Sequence, residues 1–155
     1  MKHWRLILFF FSAMAFSGCS FQHYFILGNS TDQSILIEYT LENPQEQNVI
    51  FGSKGEIYQS SRDYSPNWEH PLPYRDFNNS DEKVSIKLGP KSTLVFGLLS
   101  NDQYDAQSMK SASGKLFNLK QMTFTVNGVE YLINKENFHD FFLEDGGVHK
   151  YVIQL

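Results

Sequence analysis

The sequence predicts an all-β domain: a single antiparallel β-sandwich of about 7–9 strands with one short helix near the C-terminus. Three observations predict it. Apolar and polar side chains alternate with a period of two in segment after segment. Clusters of Gly, Asn, Asp and Pro cut these segments apart at intervals of about 8–12 residues. The chain is rich in aromatics, with 14 Phe and 8 Tyr, large flat side chains that pack across paired strands. An immunoglobulin-like or Greek-key arrangement fits this pattern best, and a small closed barrel is the alternative.

The elements follow in order. Residues 24–27 form a short apolar run, ended by the turn cluster Gly28-Asn29-Ser30-Thr31-Asp32. Residues 34–41 place Ile35, Ile37, Tyr39 and Leu41 on one face and Leu36, Glu38 and Thr40 on the other. Asn43-Pro44 breaks that strand, because proline removes a ladder donor. Residues 48–51 and 56–60 read as two shorter strands joined through Gly52-Ser53-Lys54-Gly55. Val84, Ile86 and Leu88 alternate with Ser85 and Lys87 before Gly89-Pro90 turns the chain. Residues 93–99 point Leu94, Phe96 and Leu98 inward, and residues 121–126 do so with Met122, Phe124 and Val126. Asn127-Gly128 signals a hairpin, since both centres of the tightest turn need positive φ. Residues 129–133 are the returning strand.

Asn134 is placed to cap a short helix over 135–142, with Phe138, Phe141 and Phe142 turned to the core. Gly146-Gly147 ends it, and residues 148–155 form the last strand, with Tyr151, Ile153 and Leu155 inward. Two stretches break the strand rhythm. Residues 61–83 read as a long loop and residues 101–114 as a polar, mobile one.

The first 18 residues stand apart. Lys2 and Arg5 give a basic start, residues 6–16 are apolar, and Ser17 and Gly18 are small, which is signal-peptide anatomy. The apolar run falls well short of the about 20 residues that a membrane-spanning helix needs. Cys19, the only cysteine, follows directly. Phe16-Ser17-Gly18-Cys19 resembles the lipobox of bacterial lipoproteins, with Phe16 where leucine is usual. The resemblance implies cleavage before Cys19 and acylation of its thiol. Several fatty acyl chains, palmitate among them, would anchor the chain stably, where one would not. Ser20 resembles the outer-membrane-directed type, and the absence of an acidic tract in Ser20-Phe21-Gln22-His23 points to the periplasmic face. The expected organisation is a signal peptide over 1–18, a tether over 19–23 and a domain over 24–155. The four residues between Cys19 and Tyr24 reach at most about 14 Å, which holds the domain against the bilayer.

Removing residues 1–18 leaves 137 residues with 11 basic and 17 acidic side chains, a net charge of −6. One domain and one core are expected from that length. The acidic balance argues against nucleic acid as a partner and against anionic lipid as the main contact. With Cys19 acylated no thiol remains, which excludes a disulfide framework and cysteine-based zinc binding.

Within 61–83, Tyr64, Trp68, Tyr74 and Phe77 lie among Pro66, Pro71 and Pro73. Aromatics held by a proline-stiffened loop suit either a binding surface for a sugar or protein, or a lid folded over one end of the sandwich. Glu136-x-x-His139 has the spacing of half a di-metal motif, but its second half is missing. His70 and His149 are isolated, and with His139 they read as solvated surface histidines, so no metal and no cofactor are expected, because zinc needs three or four convergent ligands. Ser80-x-x-Lys83 precedes a strand rather than opening a helix, and reads as chance. The sequons at Asn29 and Asn78 have no acceptor role in a bacterial envelope. Glu69 or Asp76 would be the carboxylates of a small hydrolase, yet no activated nucleophile or acid–base pair accompanies them.

In outline the chain resembles small β-sandwich lipoproteins of Gram-negative envelopes, most specifically in its leader through Cys19. The resemblance implies a non-enzymatic, protein-binding accessory subunit of an envelope assembly, lipid-anchored in the outer membrane. A glycan-binding module built on residues 61–83 is the alternative.

Overall fold

A computed structural model describes residues 21–73 and 82–154. The signal peptide, Cys19, Tyr74, Asp76, Phe77, Asn78, Ser80 and Leu155 lie outside the described residues. The described chain is all-β, with strands numbered β1 to β12 along the sequence and one helical turn, α1 (Phe138–Phe141). A six-stranded sheet runs, in spatial order, β11 (Leu143–Asp145), β12 (Val148–Ile153), β1 (Gln22–Asn29), β6 (Ser92–Ser100), β3 (Phe51–Ser60) and β4 (Pro66–Leu72). A four-stranded sheet runs β10 (Val129–Asn134), β9 (Leu119–Val126), β2 (Ile35–Leu41) and β5 (Lys83–Leu88). The short strands β7 (Tyr104–Asp105) and β8 (Lys110–Ser111) pair with each other.

Both larger sheets feed one hydrophobic cluster. Phe25, Leu27, Leu94 and Phe96 come from the six-stranded sheet, and Ile37, Tyr39, Ile86, Met122 and Phe124 from the four-stranded one. The alternation of 35–41, 84–88 and 121–126 is present as expected, since a one-residue slip would turn each apolar set to water. Asn127 and Gly128 take φ of 52° and 77° and close the β9–β10 hairpin.

Several expectations are corrected. The pairing is not wholly antiparallel: β1 and β12 run parallel, with Phe25 opposite His149. The stretch Gly52-Ser53-Lys54-Gly55 is not a turn between two strands. Both flanking segments pair with the same strand in the same sense, Phe51 opposite Gly97 and Glu56 opposite Val95, so the glycines bend one continuous β3. Phe96 is an extra residue in β6, because Phe25 faces Gly97 while Ile26 faces Val95. That bulge resets the alternation. Leu99 enters the core and Leu98 turns outward, 47% exposed.

Residues 61–83 are not one loop, since β4 pairs with β3 along the sheet edge. Residues 101–114 hold the β7–β8 hairpin rather than an open polar loop. Burial would raise the Asp102 carboxyl, but hydrogen bonds from Ser111 and Ser113 outweigh it and hold the group below its ordinary range. The helix is shorter than 135–142. Asn134 accepts from the N–H groups of Glu136 and Asn137, and so folds the turn before α1 rather than capping it. Phe138 and Phe142 are buried as expected, whereas Phe141 is only partly covered.

Candidate functional site

Two clusters of side chains and one cleft stand out on this fold. The first cluster holds the aromatic residue that the sequence singles out most clearly. Trp68 lies in β4, 50% exposed, and packs against Tyr58 of β3 and Tyr24 of β1. Its ring centre is 5.1 Å from Tyr24 at 45° and 4.9 Å from Tyr58 at 68°. Tyr58 donates to Glu56 Oε2 at 2.6 Å, a bond that raises its hydroxyl to about 12. Tyr24 donates to Gln22 Oε1. Leu98, opposite Tyr24 in the register, extends this outward face, and a shallow depression of about 280 Å³ lies beside Trp68.

Tyr64 does not join this cluster. It sits in a turn with φ of 61°, where its carbonyl accepts from Thr93 and its Cβ covers Gly28. Of the expected quartet, then, Trp68 reaches an aromatic cluster, Tyr64 holds a turn, and Tyr74 and Phe77 lie outside the described residues. Glu69 and His70 are exposed, as the sequence implies for His70.

A cleft of about 800 Å³ lies where Tyr131, Phe141 and Tyr151 meet Lys150 and Asp63. Hydrogen bonds from Ser61 and Ser65 hold the Asp63 carboxyl far below the ordinary carboxylate range. The same carboxylate pairs with Lys150 at 3.6 Å, so its charge already serves the turn before β4. Glu136 precedes α1 instead of sharing a helix with His139, which dissolves the expected i, i+3 pair.

The second cluster has no counterpart among the sequence motifs. His149 is not a solvated histidine. It is 0% exposed and packed in the domain interior, its ring stacked on Phe25 at 4.6 Å and 9°. Tyr104 meets it edge-on at 5.0 Å. Its Nε2 faces His23 Nδ1 at 3.4 Å, and its Nδ1 has no hydrogen-bond partner among the described residues. Burial, with His23 and His139 nearby, lowers the His149 imidazole to about 4, so it stays neutral near pH 7. His139 faces Tyr104, their Nε2 and hydroxyl 3.1 Å apart, and burial lowers it as well.

Three strands build this second cluster. Glu144 of β11 lies directly opposite His149 of β12. Gly146 and Gly147, at φ of 58° and 84°, form the two-residue turn between them. Gly147 carries a further demand, since a Cβ there would meet the Gln22 carbonyl oxygen at 2.7 Å. That close approach lets Tyr24 N–H donate to the Gly147 carbonyl and seats His23 beside the hairpin. His23, Glu144 and His149 each offer a ligand atom, and the three atoms lie within 4.8 Å of one another. A cleft of about 660 Å³ opens beside His23 and Glu144, bordered by Gln103 and Tyr104, with His149 buried behind it.

Two histidines 126 residues apart carry no spacing motif, and only the parallel β1–β12 pairing joins them. One signal exists in the sequence: the alternation that turns Tyr151 and Ile153 inward also turns His149 inward. No protein-family model, no curated protein and no solved structure matches this chain.

Proposed function

We propose that this protein is a non-enzymatic lipoprotein, anchored in the outer membrane through acylated Cys19. Its two larger sheets form the layers of a β-sandwich that binds a partner protein of the periplasmic envelope. The carrying observation is the outward cluster of Tyr24, Tyr58 and Trp68, continued by Leu98. Large aromatics that are half covered by one another and half open supply the central anchors of protein interfaces. The strand that bears Tyr24 starts at Gln22, three residues after Cys19. A span of about 10 Å keeps this surface near the bilayer, where a membrane-associated partner is within reach.

Two experiments test the parts separately. In intact envelopes, a photocrosslinker at position 98 is expected to capture one protein in stoichiometric yield. Trp68→Ala is expected to abolish that capture while moving the Tm by only a few degrees, since half of the ring is already in water. Capture that survives the substitution would remove the surface from consideration. The anchor is tested by Cys19→Ala, which should yield an unacylated chain that is released from membranes or left unprocessed. Normal acyl labelling of that variant would overturn the assignment.

A glycan-binding module is the second reading, favoured by the open half of the Trp68 ring. Against it, Tyr24 and Tyr58 lie at 45° and 68° to that ring, so the three do not form a flat platform for sugars. Trp68 is the only tryptophan after the leader, which makes its fluorescence a clean monitor of titration with peptidoglycan fragments.

A further inference from the structure

We infer that His23, His149 and Glu144 form a binding site for one divalent transition-metal ion of the zinc class, open on its fourth side to the cleft beside Tyr104. The site is independent of the outward aromatic cluster, and so is its test.

The geometry carries the inference. Zinc–nitrogen bonds of about 2.0–2.1 Å at a tetrahedral angle put two ligand nitrogens about 3.4 Å apart. His23 Nδ1 and His149 Nε2 are 3.4 Å apart. That distance is long for a hydrogen bond between two neutral imidazoles, for which about 2.9–3.0 Å is usual. With a cation between them, both lone pairs point at the metal instead of at each other. A Glu144 carboxylate oxygen lies within 4.8 Å of one ring nitrogen of each histidine. It is exposed, and a closure of at most about 1.4 Å brings it to the ligand–ligand spacing of a tetrahedral site.

The donor set selects the ion class. Two imidazoles and one carboxylate suit zinc and its neighbours, and hard cations such as calcium and magnesium prefer oxygen alone. Three protein ligands with one open position is the form of zinc sites that keep a water. The surroundings are ready for it. His149 is fully buried and already ordered by its neighbours. Its ring is clamped between Phe25 and Tyr104, so little side-chain entropy is lost on binding. Bound there, the ion would tie β1 to the β11–β12 hairpin four residues after Cys19.

The test uses the full-length protein in detergent, stripped of metal and titrated with Zn²⁺ against a chromophoric chelator. One equivalent per chain is expected, with a Tm rise of roughly 5–10 °C once free Zn²⁺ reaches about 100 times Kd. Co²⁺ should give the intense visible absorption of a tetrahedral site. His149→Phe keeps the stack on Phe25 and should stay folded, while losing more than about 100-fold in affinity, beyond the 10–100-fold typical of outer-shell changes. His23→Gln, at a position 9% exposed, checks the same loss from the other side of the histidine pair. Glu144→Gln should weaken binding by about 10-fold or more, and His70→Gln should change nothing. No saturable binding, one equivalent retained by the His23→Gln/His149→Phe double variant, or an octahedral Co²⁺ spectrum would each overturn the site.

Discussion

Replacing Phe25 with alanine is expected to destabilise the domain by about 3–5 kcal/mol. Phe25 is 0% exposed and sits at the meeting point of the aromatic core. Its ring lies 5.0 Å from Phe51, 5.2 Å from Tyr104 and 4.6 Å from His149, with Phe96 and Phe138 just beyond. Removing it deletes the buried ring and leaves a void walled by other rings, which rigid neighbours fill poorly. Against a total stability of about 5–15 kcal/mol, the loss is large enough to populate the unfolded state. Urea unfolding should show a much lower midpoint with an unchanged slope. Phe25→Leu, which keeps much of the volume, should lose clearly less. Equal losses for the two variants would mean that the ring's volume is not what holds this part of the core.

Asn118→Ala is expected to destabilise the domain by about 2–5 kcal/mol through unmade hydrogen bonds rather than lost volume. Asn118 is buried just before β9. Its Oδ1 accepts from Phe51 N–H at 2.8 Å, and its Nδ2 donates to the Phe51 carbonyl at 2.9 Å and to the Glu42 carbonyl at 3.2 Å. One side chain thereby serves both backbone groups of Phe51, as a neighbouring strand would. β4 begins to pair with β3 only further along, at Ile57 and beyond, so no strand is there to do it. Truncation leaves a buried N–H and a buried C=O without partners, each costing about 1–3 kcal/mol. Asn118→Asp separates the two roles. It keeps the acceptor for Phe51 N–H but cannot donate, and it buries a charge, so it should be at least as damaging at neutral pH. Urea midpoints at pH 7 check both variants, and a loss under about 1 kcal/mol for Asn118→Ala would show that the pairing adds little.

The two substitutions mark the line between what is legible in the sequence and what is not. The apolar faces of β2, β5 and β9 are legible because each strand carries a clean period of two, and water alone decides which face turns inward. The β9–β10 turn is legible because Asn127-Gly128 satisfies a local backbone demand. The bulge at Phe96 is not, since it depends on how β1 and β3 both register against β6. The sequence points to Trp68 as an exposed aromatic, but places it in a loop. Its strand exists because the β3 edge offers unpaired backbone groups, and the prolines in 66–72 are tolerated only at such an edge.

The second cluster illustrates the same division. By spacing alone His149 reads as isolated, because no other histidine or cysteine near it in the chain completes a ligand motif. The strand parity that fixes Tyr151 and Ile153 carries the missing information, yet it names no companion for a buried imidazole. His23 and Glu144 become companions only when β12 adds to β1 in parallel and β11 folds back across Gly146-Gly147.

The sequence by itself determined the all-β class, the inward faces of the regular strands, the tight β9–β10 hairpin and the placement of a short helical turn ahead of the last strand. These follow from interactions within a few residues of one another, and from the cost of leaving apolar side chains in water. The tertiary structure alone decided the parallel β1–β12 pair, the bulge that moves Leu98 outward, the Asn118 bridge to Phe51 and the meeting of His23, Glu144 and His149. Each of these depends on contacts between residues far apart in the chain, and such contacts are chosen by register and close packing, which no local pattern encodes.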